Sequence, residues 1–217
     1  MRRKKRTHTI STDDLSPPNE RKLHQARRDI AAEAARIMAT EGQRNYRAAK
    51  QKAAQRIGAN SRLALPGNKE VEEALRAYQV CFGGEQHARH LETLRETALQ
   101  VMRALDSFCP RLVGPVLEGT ADRHSRVSLH LFNDPPEAVA LHLAEKGLSY
   151  QQEERKIRWH DGGHKLIPLL VTEADGIVVE LALFNSVDLR QAPPSPIDGK
   201  PQKRAHMAEL ECLIAGA

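Results

Sequence analysis

Residues 111–132, with the sequence RLVGPVLEGTADRHSRVSLHLF, form the stretch that decides the predicted fold. Two apolar, β-branched runs, 112–117 and 127–132, flank a polar loop, and this pattern predicts a strand, a loop and a second strand. Gly114 and Gly119 lie at the end of the first predicted strand. Glycine permits positive φ and a close backbone approach, which lets phosphate oxygens reach backbone amides. The stretch is therefore a candidate phosphate-binding loop.

The stretch also resembles the signature of nucleotidyltransferases of the DNA polymerase β superfamily. That signature is a strand, Gly-Ser, three residues and Gly, followed by a second strand that opens with Ser-Asp-x-Asp. On this chain the Gly-Ser pair falls on Gly114 and Pro115, and the later glycine falls on Gly119. The serine falls on Ser125. The resemblance implies a small mixed sheet with helices on one face and a nucleotide site at this loop.

The metal-binding positions of the signature are replaced on this chain. The resemblance puts the two aspartates on Arg126 and Ser128, and neither residue is a carboxylate. It puts the third acid, on a later strand, at Glu180 in GIVVELALF. Alternation along the second predicted strand places Arg126, Ser128 and His130 on one side. The predicted nucleotide-binding residues are Gly114, Gly119, Thr120, Ser125, Arg126 and Ser128.

Most of the chain is also similar to a proteobacterial protein family that joins a basic helical half to a nucleotidyltransferase-like half. The similarity rests on AARIMATEGQRNYRAAKQKAAQRIG, LPGNKEVEEALRAYQ and GPVLEGTADRHSRVSLHLF. Some relatives carry the label UDP-N-acetylmuramate alanine ligase. The residues do not support that label, because the chain has no Gly-x-x-x-x-Gly-Lys-Ser/Thr loop to hold ATP and is too short for a three-domain ligase.

Composition is that of a globular, cytoplasmic protein. The 217 residues are 40% hydrophobic and 28% charged, whereas aromatic residues make up only 4%, which disfavours a set of stacking platforms for single-stranded bases. The amino terminus lacks an apolar segment typical of a secretory signal, and no apolar run is long enough to span a membrane. Cys81, Cys109 and Cys212 have no Cys-x-x-Cys spacing, so they are expected to be reduced and mostly buried.

The charge is distributed unevenly. Residues 1–60 hold 15 Lys/Arg against 6 Asp/Glu, whereas the remainder holds 18 against 22. This split suggests that the amino-terminal half contacts a polyanion such as RNA, and that the acidic half could meet a protein partner. A solvated basic surface is the alternative. The candidate nucleic-acid contacts are Arg2, Arg3, Lys4, Lys5, Arg6, Arg47, Lys50, Lys52 and Arg56.

Hydrophobic periodicity predicts an α+β fold, a helical amino-terminal half followed by a small mixed-sheet domain of nucleotidyltransferase type. Helices are expected over 19–40, 45–57, from about 68, and over 86–107. Strands are expected over 149–159, 165–173 and 176–184, with Asp-Gly turns between them. The predicted organisation is a basic disordered tail (1–20), a helical basic domain (21–109), the nucleotidyltransferase-like domain (110–190), and a Pro-rich loop with a final helix (191–217).

Three functions remain open from the sequence. Nucleotidyl transfer needs Mg²⁺ held by converging acids, and only Asp122 and Glu180, with Glu118 nearby, could rebuild such a site. Loss of those acids instead predicts a degenerate protein that binds a nucleotide or RNA without turnover, with the Arg126 guanidinium standing where a metal would lie. The third alternative is a structural or interaction protein whose glycines only shape a strand end. No resident metal or other cofactor is predicted unless the chain is active.

Overall fold

The chain folds as a set of amino-terminal helices followed by a five-stranded mixed sheet. The computed structural model describes residues 18–59 and 65–216. The α-helices of these ranges are α1 (Pro18–Glu41), α2 (Tyr46–Arg56), α3 (Asn68–Phe82), α4 (Gly84–Ala104), α5 (Pro115–Glu118), α6 (Ala138–Glu145) and α7 (Met207–Ala215). The strands are β1 (Arg111–Val113), β2 (Val127–Phe132), β3 (Gln151–Arg158), β4 (His164–Ala174) and β5 (Ile177–Phe184). The predicted order of helical half and mixed sheet is confirmed.

The predicted basic tail falls largely outside this description. Arg2, Arg3, Lys4, Lys5 and Arg6 lie outside the described residues. Helix α1 begins at Pro18, within the last positions of the range predicted as tail. No helix of the described ranges is both long enough and apolar enough to cross a lipid bilayer.

The sheet has the strand order β1-β2-β5-β4-β3. Strands β2 and β5 run parallel, and the other neighbouring pairs are antiparallel. The hairpin between β4 and β5 turns at Asp175 and Gly176, both at positive φ, as the Asp-Gly signal predicts. The register places Val113, Ser128 and Glu180 side by side in one row across β1, β2 and β5. Residues far apart in sequence therefore meet on one face of the sheet.

Helices cover one face of this sheet. Leu129, Leu131 and Leu181 point to that face and are fully buried against α4, α6 and α7. The opposite face carries Ser128, His130, Glu180 and Phe184, and its apolar part packs around Trp159. Helix α4 lies against the sheet, although its residues fall within the range 21–109 predicted as a helical domain. We refer to residues 84–216 as the sheet unit.

Helices α1, α2 and α3 form a separate unit with a hydrophobic core of its own, which we call the helical unit. Its buried side chains are mainly alanines with a few larger residues: Ile30, Ala31, Ala34, Ala35, Ile37, Met38, Ala49, Ala53, Ala54, Val71 and Leu75. Alanine at helical spacing lets neighbouring helix backbones approach closely. None of these residues belongs to the core of the sheet unit. The two units are therefore stabilised by separate cores.

Two details of the sequence prediction are wrong. The first predicted strand was expected over 112–117, but β1 ends at Val113, and Pro115 begins the short helix α5. Gly114 has φ +74°, a backbone conformation that other residues rarely adopt, and proline has the fixed φ of a first helical position. The cysteines were expected to be mostly buried, but Cys81, Cys109 and Cys212 are all exposed.

Candidate anion-binding site

Glu180 is the centre of a charged cluster on the open face of the sheet. It lies in β5, where its neighbours Val179, Leu181 and Leu183 are buried on the opposite face. Glu180 itself is only 4% exposed. The Ser128 hydroxyl on the neighbouring strand lies 3.4 Å from Glu180 Oε2 and donates to it. A carboxylate this deeply buried requires charged partners.

Three arginines provide those partners. Arg155 on β3 donates to Glu180 Oε2 at 2.7 Å, and Arg126, just before β2, donates to Oε1 at 3.0 Å. Arg44 Nη1, from the loop between α1 and α2, lies 3.7 Å from Oε1. The three side chains are 38–50% exposed, whereas that of Glu180 is 6% exposed. Three positive charges meet one negative charge, so an excess of positive charge faces solvent.

The pKa of Glu180 reflects this balance. Burial by itself raises the pKa of the carboxyl group, but the hydrogen bond and charge of Arg155, together with Arg126, outweigh burial and hold it below its ordinary value. Burial and then the charge of Arg126 lower the pKa of Arg44, and Glu180 opposes this shift. The cluster therefore contains an ionised glutamate and arginines that repel one another.

The α1–α2 loop is docked on the loop before β2 by reciprocal arginine contacts. The Arg44 guanidinium donates to the backbone carbonyl of His124. Arg123 Nη2 in turn donates to the Thr40 carbonyl at 3.1 Å. The His124 ring lies directly over Gly42, so that a Cβ atom at Gly42 would be 2.9 Å from it. Each unit thus sends one arginine to the backbone of the other.

Gly42 provides a test of this docking. Gly42 has φ +67° and Gly58 has φ +64°, but among the residues that the structure describes a Cβ at Gly58 would meet no atom within 4 Å. Both Gly→Ala changes carry backbone strain of about 1 kcal/mol, since L-residues disfavour this region. We expect Gly42→Ala to destabilise the protein by about 1 kcal/mol more than Gly58→Ala in urea denaturation, because only the former displaces His124. Equal losses would show that His124 moves aside freely.

Asp122 and Ser125, both predicted site residues, bind each other rather than Glu180. Asp122 Oδ1 accepts a hydrogen bond from the Ser125 hydroxyl at 3.0 Å and another from the His124 backbone N–H at 2.8 Å. The Asp122 carbonyl also lies 3.1 Å from His90 Nε2. These bonds hold together the loop that precedes Arg126. Asp122 therefore has a structural role in this conformation.

The predicted glycine loop lies beside this cluster and is held from behind by helices. Gly114 directly follows Val113, which pairs with Ser128, and a Cβ at Gly114 would meet no atom of residues 18–59 or 65–216 within 4 Å. Thr120 is 6% exposed, and its carbonyl accepts a hydrogen bond from Gln79 at 2.8 Å. Gly119 lies near Arg95, because a Cβ atom added at Gly119 would be 3.8 Å from Arg95 Nη2. Space is thus open next to Gly114, whereas Thr120 is largely enclosed.

The residues do not fit a metal-binding group. Glu118, the third acid of the hypothetical rebuilt site, instead pairs with Arg76 at 3.0 Å and Lys203 at 3.7 Å. Within residues 18–59 and 65–216, no group of three or more His, Cys, Asp or Glu side chains could hold a metal ion. The acid at the centre, Glu180, is already occupied by arginines. A hard divalent cation needs several anionic oxygens, and this cluster presents cations instead.

The basic residues predicted on α2 are largely engaged within the helical unit. Lys50 donates to the Pro66 carbonyl and to Asn68, and Lys52 pairs with Glu41. Arg56 pairs with Glu33 and Glu41. Arg47 is exposed. The charges of Lys52 and Arg56 are therefore partly balanced by neighbouring acids, whereas Lys50 donates to neutral oxygens.

Sequence reasoning missed Arg44 and Arg155. Arg155 lies in the polar run QQEERKIR, where β3 is exposed along most of its length, so no hydrophobic alternation marks one side chain as special. Arg44 lies outside any helix, and its role depends on how the helical unit docks. The opposite charges of Arg155 and Glu180 could have indicated an ion pair. Only the strand order, however, shows that the two residues lie close enough to form it.

Comparison of the chain with protein-family models, with curated proteins and with solved structures gave no match.

Proposed function

We propose that this protein binds the phosphate groups of a nucleotide or of RNA at the Glu180 cluster, without turnover, as a degenerate nucleotidyltransferase-like protein. One observation carries the proposal: Arg44, Arg126 and Arg155 converge on a single buried carboxylate. Guanidinium groups bind phosphate through paired, charge-assisted hydrogen bonds. The excess positive charge and the partial exposure of each arginine suit a multiply charged anion.

The positions of the signature support the same reading. Arg126, Ser128 and Glu180 are the residues on which the resemblance puts the metal-binding acids. Arg126 and Ser128 each donate a hydrogen bond to the Glu180 carboxylate. In an active enzyme this place holds metal ions that neutralise phosphate charge. Fixed guanidinium groups supply positive charge here without activating an attacking hydroxyl. Phosphate binding is retained in this arrangement and the chemical step is lost.

We also propose that the protein works in the cytoplasm. Its three cysteines are free and exposed, and unpaired exposed thiols are typical of a reducing compartment.

Titration calorimetry with pyrophosphate in the presence of EDTA tests the proposed function. We expect the wild-type protein to bind, and Arg126→Ala and Arg155→Ala each to weaken binding about tenfold, the effect of losing one hydrogen bond to a charged group. Arg158→Ala is the matched control, because Arg158 lies on the same strand as Arg155 but points to the opposite face. It should bind as the wild type does.

Further titrations with AMP, ATP and a short RNA identify the source of the phosphate. Absence of binding by all four ligands would favour the structural alternative. Transfer of label from a nucleoside triphosphate to any acceptor in Mg²⁺ or Mn²⁺ would show that catalysis survives. Equal affinity in the wild-type and both arginine variants would overturn the role of the cluster.

A further inference from the structure

The contact between the helical unit and the sheet unit is polar. Gln79 donates to the Thr120 carbonyl at 2.8 Å, and Arg76 pairs with Glu118 at 3.0 Å. Arg44 contributes the contacts to Glu180 and His124. The hydrophobic cores of the two units share no residue. Interfaces of this kind permit relative motion of the units they join.

The covalent connection between the units is a glycine pair. Helix α3 ends at Phe82 and α4 begins at Gly84, which has φ +54°. Gln79 and Arg76 lie within two helical turns of this break, so their side chains move less than the rest of the unit when α3 pivots there. The contacts far from the break would open instead: Asn68 Nδ2 donates to the Pro196 carbonyl at 2.6 Å, and Arg123 donates to the Thr40 carbonyl at 3.1 Å. Arg44 belongs to the loop between the two other helices of the unit. The Gly83–Gly84 pair is therefore a suitable hinge for moving Arg44 toward or away from Glu180.

The electrostatics of the cluster oppose docking of Arg44 when no anion is present. Arg155 and Arg126 already occupy the two carboxylate oxygens of Glu180, at 2.7 and 3.0 Å. Arg44 is the third cation and has the longest of the three distances, 3.7 Å. Docking therefore buries the Arg44 charge and brings it toward Arg126 and Arg155, and the carboxylates of Glu180 and Asp122 act against these costs. A bound phosphate offsets the repulsion between these arginines.

We infer that a bound phosphate anion holds the helical unit against the sheet unit through Arg44. Docking of the helical unit adds Arg44 to the binding site, and the bound anion in turn stabilises the docked position. The inference rests on the proposed phosphate binding. By thermodynamic linkage, docking must strengthen anion affinity by the same factor by which the anion strengthens docking. A partner that binds the helical unit in its docked position would thus regulate the site from a distance.

A distance measurement between the units tests the inference. Spin labels at Gln51→Cys on α2 and Glu154→Cys on β3, both exposed, report the separation after Cys81, Cys109 and Cys212 are changed to serine. We expect pyrophosphate in EDTA to narrow the distance distribution of this protein. Arg44→Gln should bind pyrophosphate about tenfold more weakly and should show no narrowing even at saturation. Lys69→Gln, which removes an exposed charge from the helical unit, should behave as the parent does.

The calorimetric and distance measurements separate the two claims. Binding with narrowing that disappears in Arg44→Gln supports the inference. Binding with an unchanged distribution, or narrowing that persists in Arg44→Gln, overturns the inference and leaves the proposed function intact. Failure of the parent protein to bind pyrophosphate overturns both.

Discussion

Replacing Glu180 with glutamine is expected to lower stability and raise anion affinity at the same time. The substitution keeps the shape of the side chain but leaves Arg44, Arg126 and Arg155 without a carboxylate. Removing one partner of a buried charge pair costs about 3–5 kcal/mol, and the partial exposure of the arginines reduces this to about 2–3 kcal/mol here. The freed positive charge should strengthen pyrophosphate binding about tenfold.

Urea denaturation and pyrophosphate titration measure the two effects. Glu173→Gln on the neighbouring strand β4 is the control, because Glu173 is exposed, and its stability should lie within about 0.5 kcal/mol of the wild type. Pyrophosphate should also restore part of the stability lost by Glu180→Gln, since the ligand binds only the folded state. A variant that loses stability but binds no anion would identify the cluster as purely structural. Unchanged stability would mean that Glu180 does not hold the arginines together.

The sequence predicted the face of the cluster but not its full membership. Alternation along 126–132 placed Arg126, Ser128 and His130 on one side, and the register confirms that Ser128 and His130 share the face of Glu180. This prediction succeeded because the alternation of side chains between the two faces of a strand depends only on neighbouring residues. The pairing of Ser128 with Glu180 is parallel and joins distant segments, so it depends on strand order rather than on local pattern.

The arginines that complete the site illustrate what local patterns omit. Arg155 reaches Glu180 across strand β4, and Arg44 arrives from another unit of the fold. The glycine signal at Gly114 was interpreted as the end of a strand, whereas the chain turns there into a helix. Glycine permits the positive φ of Gly114, but the length of the strand before it depends on pairing with β2.

His130 is a second buried titratable residue on the same face of the sheet. It is 7% exposed, its ring lies 4.5 Å from that of Phe184, and its Nδ1 accepts a hydrogen bond from Arg204 Nε at 3.2 Å. Burial, and then the charges of Arg204 and Arg155, lower the pKa of His130 from 6.5 to about 3. Protonation would place an imidazolium against a guanidinium in an apolar setting. The folded protein therefore keeps this ring neutral.

This histidine should make the protein sensitive to mild acid. Below pH 6.5 the unfolded chain takes up a proton at His130, whereas the folded protein does so only near pH 3. The unfolded state binds more protons in this range, so stability falls as the pH falls. Between pH 6.5 and pH 5 the loss from this one group is about 1.6 kcal/mol. The depressed pKa of Glu180 acts in the same direction, but only below its ordinary value of 4.5.

His130→Asn isolates this contribution, because an asparagine oxygen can accept the bond from Arg204 without titrating. We expect the stability of the wild type to fall by about 2 kcal/mol more than that of the variant between pH 7.5 and pH 5, measured by urea denaturation at each pH. The variant starts from a lower stability at pH 7.5, since it loses the ring contact with Phe184. His164→Asn, which removes an exposed imidazole, should keep the slope of the wild type. Parallel pH profiles for the wild type and His130→Asn would mean that solvent reaches His130 and that the ring can be protonated without disrupting the folded state.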